Sequence, residues 1–509
     1  MKLCVNALPH ISAARLEVPQ AGALRFPEKV LQFGTGVLLR GLPDYFIDKA
    51  NKQNVFQGRV LVVKSTANGG TDAFAEQDHL YTQCIKGIEN GQLVEENIVN
   101  ASISRVLSAK SDWDEILEAA ANPDMELVIS NTTEVGIVLQ KDNIHGHPPD
   151  SFPGKLLAFL YRRFRIFKGD PAKGMVIVPT ELIPENGSKL ESIITELAHQ
   201  NALEPAFIDW LEQHNHFCNS LVDRIVPGKL PIADQQKMEQ ELGYADELMI
   251  MSEVYRLWAI EAKHQRVFDV LQPLASVDEG IVLTPDIHLY RELKVRLLNG
   301  PHTFACGIAV LTGVNTVKEA MDHPLISAYI ARVMEQEITP AIVGEELTKE
   351  KALDFAARIL DRFRNPHIEH RWISITMNYS SKMEMRNVPA IVQYIERQGA
   401  APQAMALGFA AFLCFMKGVE GNDGKYYGTV NGAQYVIQDD NAGLYAESWK
   451  KGVDGVVGDV LGNETFGGSG LADALVWRDA VAYWVREIVE KGVVRAMEEC
   501  VRGEGVRLG

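Results

Sequence analysis

The feature that most restricts how this chain can fold lies near its start. An apolar run, Lys-Val-Leu-Gln-Phe at 29–33, leads into Gly34-Thr35-Gly36 and then into a segment of helical period at 42–51. Strand, glycine turn and helix in that order open a βαβ unit able to hold a dinucleotide. Gly34 permits the tight turn, and Gly36 lets the backbone approach a pyrophosphate whose charge meets the free N–H groups at the helix start. Gly34 and Gly36 are therefore candidates for cofactor binding. Leu39 stands where the third glycine of the usual fingerprint belongs. A plain tight turn has the same short pattern, so the weight falls on the segments further along the chain.

Further strand-like runs come at 58–63, 126–130 and 174–178, with helical-period segments at 111–121 and 153–167 between them. That alternation predicts an α/β, Rossmann-like, doubly wound domain with a parallel sheet over residues 1–284. Ligands of such sheets lie beyond the carboxyl ends of the strands. The residues there are Lys64 and Ser65, then Asn131, Thr132, Thr133 and Glu134, then Thr180 and Glu181. An acidic residue at the end of the second strand would select NAD, but Lys64 and Ser65 occupy the place, so NADP stays open on physical grounds.

A length of 509 residues supports a second large domain, and helical periodicity dominates residues 285–509. Candidate helices cover 286–298, 325–337, 353–363, 404–416 and 472–500, and the seven glycines of 452–470 predict a loop. Lys294 falls on the first of these helices, on one face with Tyr290, Leu297 and Leu298. Desolvation there favours the neutral amine and makes Lys294 a general acid and base near neutral pH. Gly300-Pro301 should break or kink the helix, leaving Asn299 and His302 projecting from the corner. Reduction of a ketone builds negative charge on its oxygen, which Lys294 would quench by proton transfer while Asn299 and His302 hold it by hydrogen bonds. The competing structural roles are a snorkelling lysine, a capping asparagine and a satisfied buried histidine.

Lys294-x4-Asn299-x2-His302, placed after Gly34-x-Gly36-x3-Arg40, resembles the mannitol dehydrogenase family of zinc-independent long-chain polyol dehydrogenases. The resemblance extends through Ser130-Asn131-Thr132-Thr133-Glu134, Ser220-Leu-Val-Asp223-Arg224-Ile-Val-Pro227, and Arg362-Phe-Arg-Asn365-Pro366-His367-Ile with Lys382 beyond it. It also makes Phe33, Thr35 and Arg40, beside Gly34 and Gly36, candidates for cofactor binding. Glu181-Leu-Ile and Asn186-Gly187 look most like members of the family that reduce keto-hexonates. The resemblance implies NADH-dependent reduction of tagaturonate to altronate, with Lys294 as acid and base and Asn299 and His302 positioning the carbonyl. Fructuronate reduction to mannonate and mannitol oxidation are the alternatives within the family, and a non-catalytic nucleotide sensor is the alternative from another class. One departure stands out: the family's second oxyanion-holding asparagine has Glu181-Leu182 in its place.

Formal net charge is −17 and no stripe of Lys and Arg is present, which argues against nucleic acid as a partner. An anionic sugar acid would need a local cluster of cations. The resemblance places His370, Lys382 and Arg386 in the segment that lines the substrate site, and adds Glu181 and Arg224 as candidates. The competing role for Lys382 and Arg386, four residues apart, is a solvated helix face. Six scattered cysteines and two short His-x-His pairs, at 145–147 and 214–216, do not have the spacing of a zinc site, so no metal is expected. The longest apolar stretch, 404–416, falls short of the ~20 residues that span a bilayer. The expectation is a cytoplasmic monomer or small homo-oligomer acting on a small molecule, away from membranes.

Overall fold

The computed structural model describes residues 1–11, 16–65, 71–132, 136–467, 470–471 and 473–503. The chain divides into two compact units, one of Met1–Gly87 with Leu93–Ile287, the other of Ile88–Gln92 with His288–Gly509.

In the first unit the strands are β1 (Glu28–Phe33), β2 (Arg59–Lys64), β3 (Tyr81–Glu89), β4 (Gln92–Asn100), β5 (Ile103–Ser108), β6 (Leu127–Ser130), β7 (Val176–Pro179), β8 (His216–Phe217), β9 (Ser220–Asp223), β10 (Ile250–Glu253), β11 (Leu257–Glu261) and β12 (Ile281–Thr284). Among the described residues six of them form one sheet in the order β5-β2-β1-β6-β7-β8, and every neighbouring pair is parallel. The central strands are largely apolar because both faces of the sheet are covered. Val30, Val60, Val62, Ile129 and Val178 pack into one core, while Leu31, Leu61, Val63, Val128 and Ile177 pack into the other. The chain lays β2 on one side of β1 and β6 on the other, so the direction of winding switches between β1 and β6, the position at which sheets of this kind bind their ligands.

Two three-stranded sheets, β10-β3-β4 and β12-β11-β9, complete this unit and were not anticipated from the sequence. The polar residues of Gln92–Asn100 mask the alternation, since Gln92, Leu93, Glu95 and Glu96 are exposed.

The second unit is mainly helical. The helix expected to end at Gly300-Pro301 continues: His288–Leu293 is α-helical, Lys294–Asn299 is a π turn, and Gly300–Thr312 is α-helical again. Proline at 301 lacks the N–H for an α-helical bond. The wider turn takes up that gap, with the Gly300 N–H bonding to the Val295 carbonyl. The glycine-rich stretch expected as a loop contains the helix Gly452–Leu461, because burial of Val456, Val457, Val460 and Leu461 outweighs the poor propensity of glycine. The long helix expected at 472–500 divides into Leu475–Lys491 and Val493–Arg502 at Gly492, whose φ is +86°. A small antiparallel meander, β13 (Val419–Glu420), β14 (Tyr426–Val430) and β15 (Ala433–Ile437), lies within the stretch where helical periodicity dominates the sequence.

Glu337 lies in a second π turn, Val333–Ile338, and accepts hydrogen bonds from the N–H groups of Ala404 (2.8 Å) and Met405 (2.7 Å) at the start of the helix Gln403–Phe415. Burial pushes its carboxyl up to about 7 in spite of those bonds. The folded value lies above the unfolded one, so the stabilisation is complete below the ordinary carboxyl range and is lost as pH rises through about 7. Glu337→Gln keeps an acceptor without the charge. Thermal melting from about pH 5 to about pH 8 is expected to show a smaller loss of stability for the variant than for the parent; an equal loss would assign the pH dependence to another group.

Candidate active site

Beyond the carboxyl ends of β1, β2, β6 and β7 the loops are tied to one another. Gly34 has φ of +125° and donates its N–H to the Val63 carbonyl (3.0 Å). A Cβ at Gly34 would meet the Asn131 carbonyl oxygen and Leu39 Cδ1, each at 2.9 Å, so both conformation and space demand glycine. Gly36 differs. Its φ of −62° suits any residue and a Cβ there would meet nothing within 4 Å, so the fold itself makes no demand for glycine. Open space beside a bare backbone is what a close-lying pyrophosphate requires. Ser65 Oγ, just past β2, is buried with no hydrogen-bond partner among the described residues. A ribose hydroxyl would satisfy it. These two features fit a dinucleotide.

Gly34→Ala is accordingly expected to cost about 1–3 kcal/mol of stability through backbone strain and overlap. Gly36→Val should leave the melting temperature in place and weaken NADH binding about tenfold or more, which is about 1.4 kcal/mol of lost contact. Thermal melting and fluorescence titration separate the two. Equal loss of stability in both variants would contradict the distinction.

Asn131 Nδ2 donates to the Thr180 carbonyl and to Thr180 Oγ1 (both 3.0 Å). The buried Glu181 carboxylate accepts from Thr132 N (2.8 Å), Thr132 Oγ1 (3.0 Å) and Ser130 Oγ (3.1 Å). Glu181 is thus engaged in fastening the loop after β6 to the loop after β7, in place of the substrate contact expected of it. Gln32, overlooked in the sequence, bridges the Gly34 carbonyl and Asp44 Oδ2 (both 3.3 Å), and a polar residue inside an apolar strand was the available signal. Lys64 is buried at the end of β2 and Thr35 is half-buried in the turn. Thr133 and Glu134 lie outside the described residues.

Three other candidates turn inward. Phe33 is wholly buried, with its ring 5.0 Å from that of Phe152. Arg40 donates to the Leu248 carbonyl (2.6 Å) and lies over the rings of Phe74 and Tyr81. Arg224 donates to the carbonyls of Glu253 (2.9 Å) and Gly41 (2.7 Å) and stacks on Tyr45. The two arginines bind main-chain carbonyls and aromatic rings inside this unit, with Arg40 Nε and Arg224 Nη2 buried without a partner among the described residues.

In the second unit, Lys294 and Asn299 are the first and last residues of the π turn. Hydrogen bonds that close over five residues widen the turn, so these two lie nearer one another around the axis than the same spacing gives in an α-helix. Both are half-buried. His302 is buried one turn further on, its ring 4.1 Å from Phe363, 5.2 Å from His370 and 5.8 Å from Trp372. Its Nδ1 lies 3.0 Å from the Leu298 carbonyl. A carbonyl only accepts, so Nδ1 carries the proton and Nε2, buried without a partner among the described residues, is the acceptor of the neutral ring. Burial, followed by the charges of His370, Arg362 and Arg386, pushes its pKa well below the ordinary histidine value, which keeps the ring neutral. A neutral ring in this tautomer cannot donate to a ketone oxygen as expected from the sequence. It can accept from a substrate hydroxyl.

Cationic groups gather around this point. Burial and then Arg362 and Lys382 lower the pKa of His370; burial and then Arg386 lower that of Lys382; burial lowers that of Arg386. Lys382 Nζ donates to the Ile375 carbonyl (2.9 Å) and Arg386 Nη1 to Thr303 Oγ1 (3.3 Å). Neither pairs with a carboxylate among the described residues, so the solvated helix face considered from the sequence does not describe them. Partly buried cations without a counterion can pair with an anion.

Models of the mannitol dehydrogenase Rossmann domain and of the mannitol dehydrogenase C-terminal domain match residues 28–268 and 286–476. The chain belongs to the mannitol dehydrogenase family. Among the chain's relatives, altronate oxidoreductase of Bacillus subtilis is 38% identical over 491 residues, covering 95% of this chain and 97% of its own. Altronate oxidoreductase of Shigella flexneri is 35% identical over 438 residues, 85% of this chain and 87% of its own. Among solved structures of the same fold, mannitol 2-dehydrogenase of Pseudomonas fluorescens, in a complex with NAD and D-mannitol, is 23% identical with a TM-score of 0.65, covering 99% of this chain and 100% of its own. A D-sorbitol dehydrogenase reaches a TM-score of 0.78 at 18% identity, covering 98% of this chain and 100% of its own.

In this mannitol dehydrogenase family chain the two His-x-His pairs are otherwise engaged. His147 pairs with Asp114 (2.8 Å) and His216 stacks on His264 at 4.1 Å. Among the described residues no group of three or more His, Cys, Asp or Glu side chains is placed to hold a metal ion, and no helix is long and apolar enough to cross a membrane. Asn186, next to the family's missing second asparagine, donates to the carbonyls of Pro179, Glu181 and Ser220 and accepts from Gly187 N and Ser220 N, which leaves it nothing for an oxyanion.

Proposed function

We propose that this chain is an NAD-dependent reductase of a keto-hexonate, converting tagaturonate to altronate. Bound NADH supplies the hydride. Gly34, Thr35, Gly36, Ser65, Asn131 and Thr132 would hold the dinucleotide at the β1/β6 switch. Lys294 hands its proton to the oxygen of the new alcohol, and Asn299, in the same π turn, donates its amide hydrogen bond to that oxygen as charge develops. His302 Nε2 accepts from a hydroxyl next to the reacting carbon. Lys382 and Arg386, with His370 beside them, pair with the carboxylate. NADH rather than NADPH is the cofactor through likeness to the family; Lys64 and Ser65 by themselves do not decide it.

The observation that carries this reading is the set of uncompensated cations in the same unit as the Lys294–Asn299 pair, on a chain whose net charge is −17. A neutral polyol has no use for them. The names of the curated relatives point the same way. The test is product identification by NMR after incubation with NADH and either tagaturonate, fructuronate or fructose. Altronate from the first is expected. Mannonate from the second alone, or mannitol from the third alone, would move the assignment within the family, and no NADH oxidation with any of them would favour a sensor.

A further inference from the structure

The helix Tyr379–Arg386, which carries Lys382 and Arg386, is gripped at both ends by the helical run that carries Lys294. At its first residue, Tyr379 Oη accepts from the Gly307 N–H (3.0 Å) and donates to the Thr303 carbonyl (2.8 Å). The hydroxyl thereby bridges a donor and an acceptor one turn apart in the helix Gly300–Thr312. At the other end, Arg296 Nη1 donates to the last carbonyls of the gripped helix, those of Met385 (2.8 Å) and Arg386 (2.7 Å), while its Nε is held by Glu292 (2.9 Å). Arg296 is buried, and it belongs to the π turn itself, two residues from Lys294. Its planar guanidinium joins the segment that moves the proton to the segment that bears the anion-binding cations.

We propose that Arg296 is a positioning residue that fixes the span between the carbonyl and the carboxylate of the substrate, and so selects keto acids by chain length. The proposal rests on the reading of Lys382 and Arg386 as carboxylate ligands. With both ends of a substrate held on rigid supports, adding or removing one carbon moves the carbonyl by roughly an ångström, and a misplacement of that size costs about 10²-fold in rate. An arginine that only stabilised the fold would have no influence on that selectivity. Tyr379, at the opposite grip, has the same role by its hydroxyl.

The experiment uses the full chain and its Arg296→Met, Arg296→Lys and Tyr379→Phe variants, with NADH and three substrates: tagaturonate, the keto acid one carbon shorter, and fructose. The parent is expected to favour tagaturonate over the shorter acid by about 10²-fold in kcat/KM. Arg296→Met should reduce that ratio to about tenfold or less, mainly by lowering kcat for tagaturonate, with NADH affinity unchanged. Arg296→Lys, which keeps a charged donor, and Tyr379→Phe should give intermediate ratios, and they decide the matter if Arg296→Met does not fold. Loss by an equal factor on both acids, or an unchanged ratio in Arg296→Lys and Tyr379→Phe, overturns the proposal while leaving the carboxylate reading intact. A parent enzyme that favours fructose over both acids removes the carboxylate reading, and the proposal falls with it.

Discussion

Replacing Lys294 by alanine is expected to lower kcat for tagaturonate reduction by about 10²–10⁴-fold, the usual contribution of a positioned general acid. The NADH dissociation constant should change by no more than about threefold, under 1 kcal/mol, because the glycine turn and the loops after β2 and β6 are untouched. The loss should fall on kcat and kcat/KM together, as it does when an interaction made only in the transition state is removed. Steady-state NADH oxidation and NADH fluorescence titration measure the two quantities. A variant within about tenfold of the parent would remove Lys294 from the chemistry, since even modest acid catalysis exceeds that. The π turn sharpens the expectation. The widened turn sets Lys294 and Asn299 nearer one another around the axis than an α-helix would, so a deletion within Lys294–Asn299 that restores α-helical spacing should reproduce most of the effect.

Lys382→Met combined with Arg386→Met is expected to act on binding. Each charge-assisted hydrogen bond to a carboxylate is worth about 1.5–3 kcal/mol, so KM for tagaturonate should rise by about 10–100-fold per residue removed. The change in kcat should be smaller, because the carboxylate is held alike in ground and transition states. Turnover of fructose, which has no carboxylate, should stay the same or improve. A double variant that loses fructose and tagaturonate turnover to the same extent would show that these cations support the fold and do not read the substrate.

The sheet and the glycine turn were legible in the sequence because they depend on local patterns. Apolar runs alternate with helical segments, so β1, β2, β6 and β7 could be read directly. Gly34 and Gly36 could be placed too, but not told apart, because the difference lies in the Asn131 carbonyl and Leu39 that press on one and the open space beside the other. Arg40, Arg224 and Phe33 were misread because a sequence position near a motif does not say which way a side chain turns. Arg40 is drawn inward by Phe74, Tyr81 and the Leu248 carbonyl, all distant in the chain.

The trio Lys294, Asn299 and His302 was visible as residue types, yet its geometry was not. A helix template of period 3.6 has no place for a π turn, and a proline at 301 predicts a break or kink where the helix widens and continues. The role of His302 reverses on one contact, from Nδ1 to the Leu298 carbonyl, which fixes the proton. Arg296 drew no attention because an arginine two residues from a candidate catalytic lysine looks like a solvated neighbour. Its partners are main-chain carbonyls of Met385 and Arg386, which carry no signature in sequence.

The most direct measurement is the ratio of kcat/KM for tagaturonate to that for fructose, with NADH saturating. An anion site built from Lys382 and Arg386 and worth about 3 kcal/mol or more requires a ratio above about 10², tagaturonate favoured. A ratio near unity, or one that favours fructose, would contradict it.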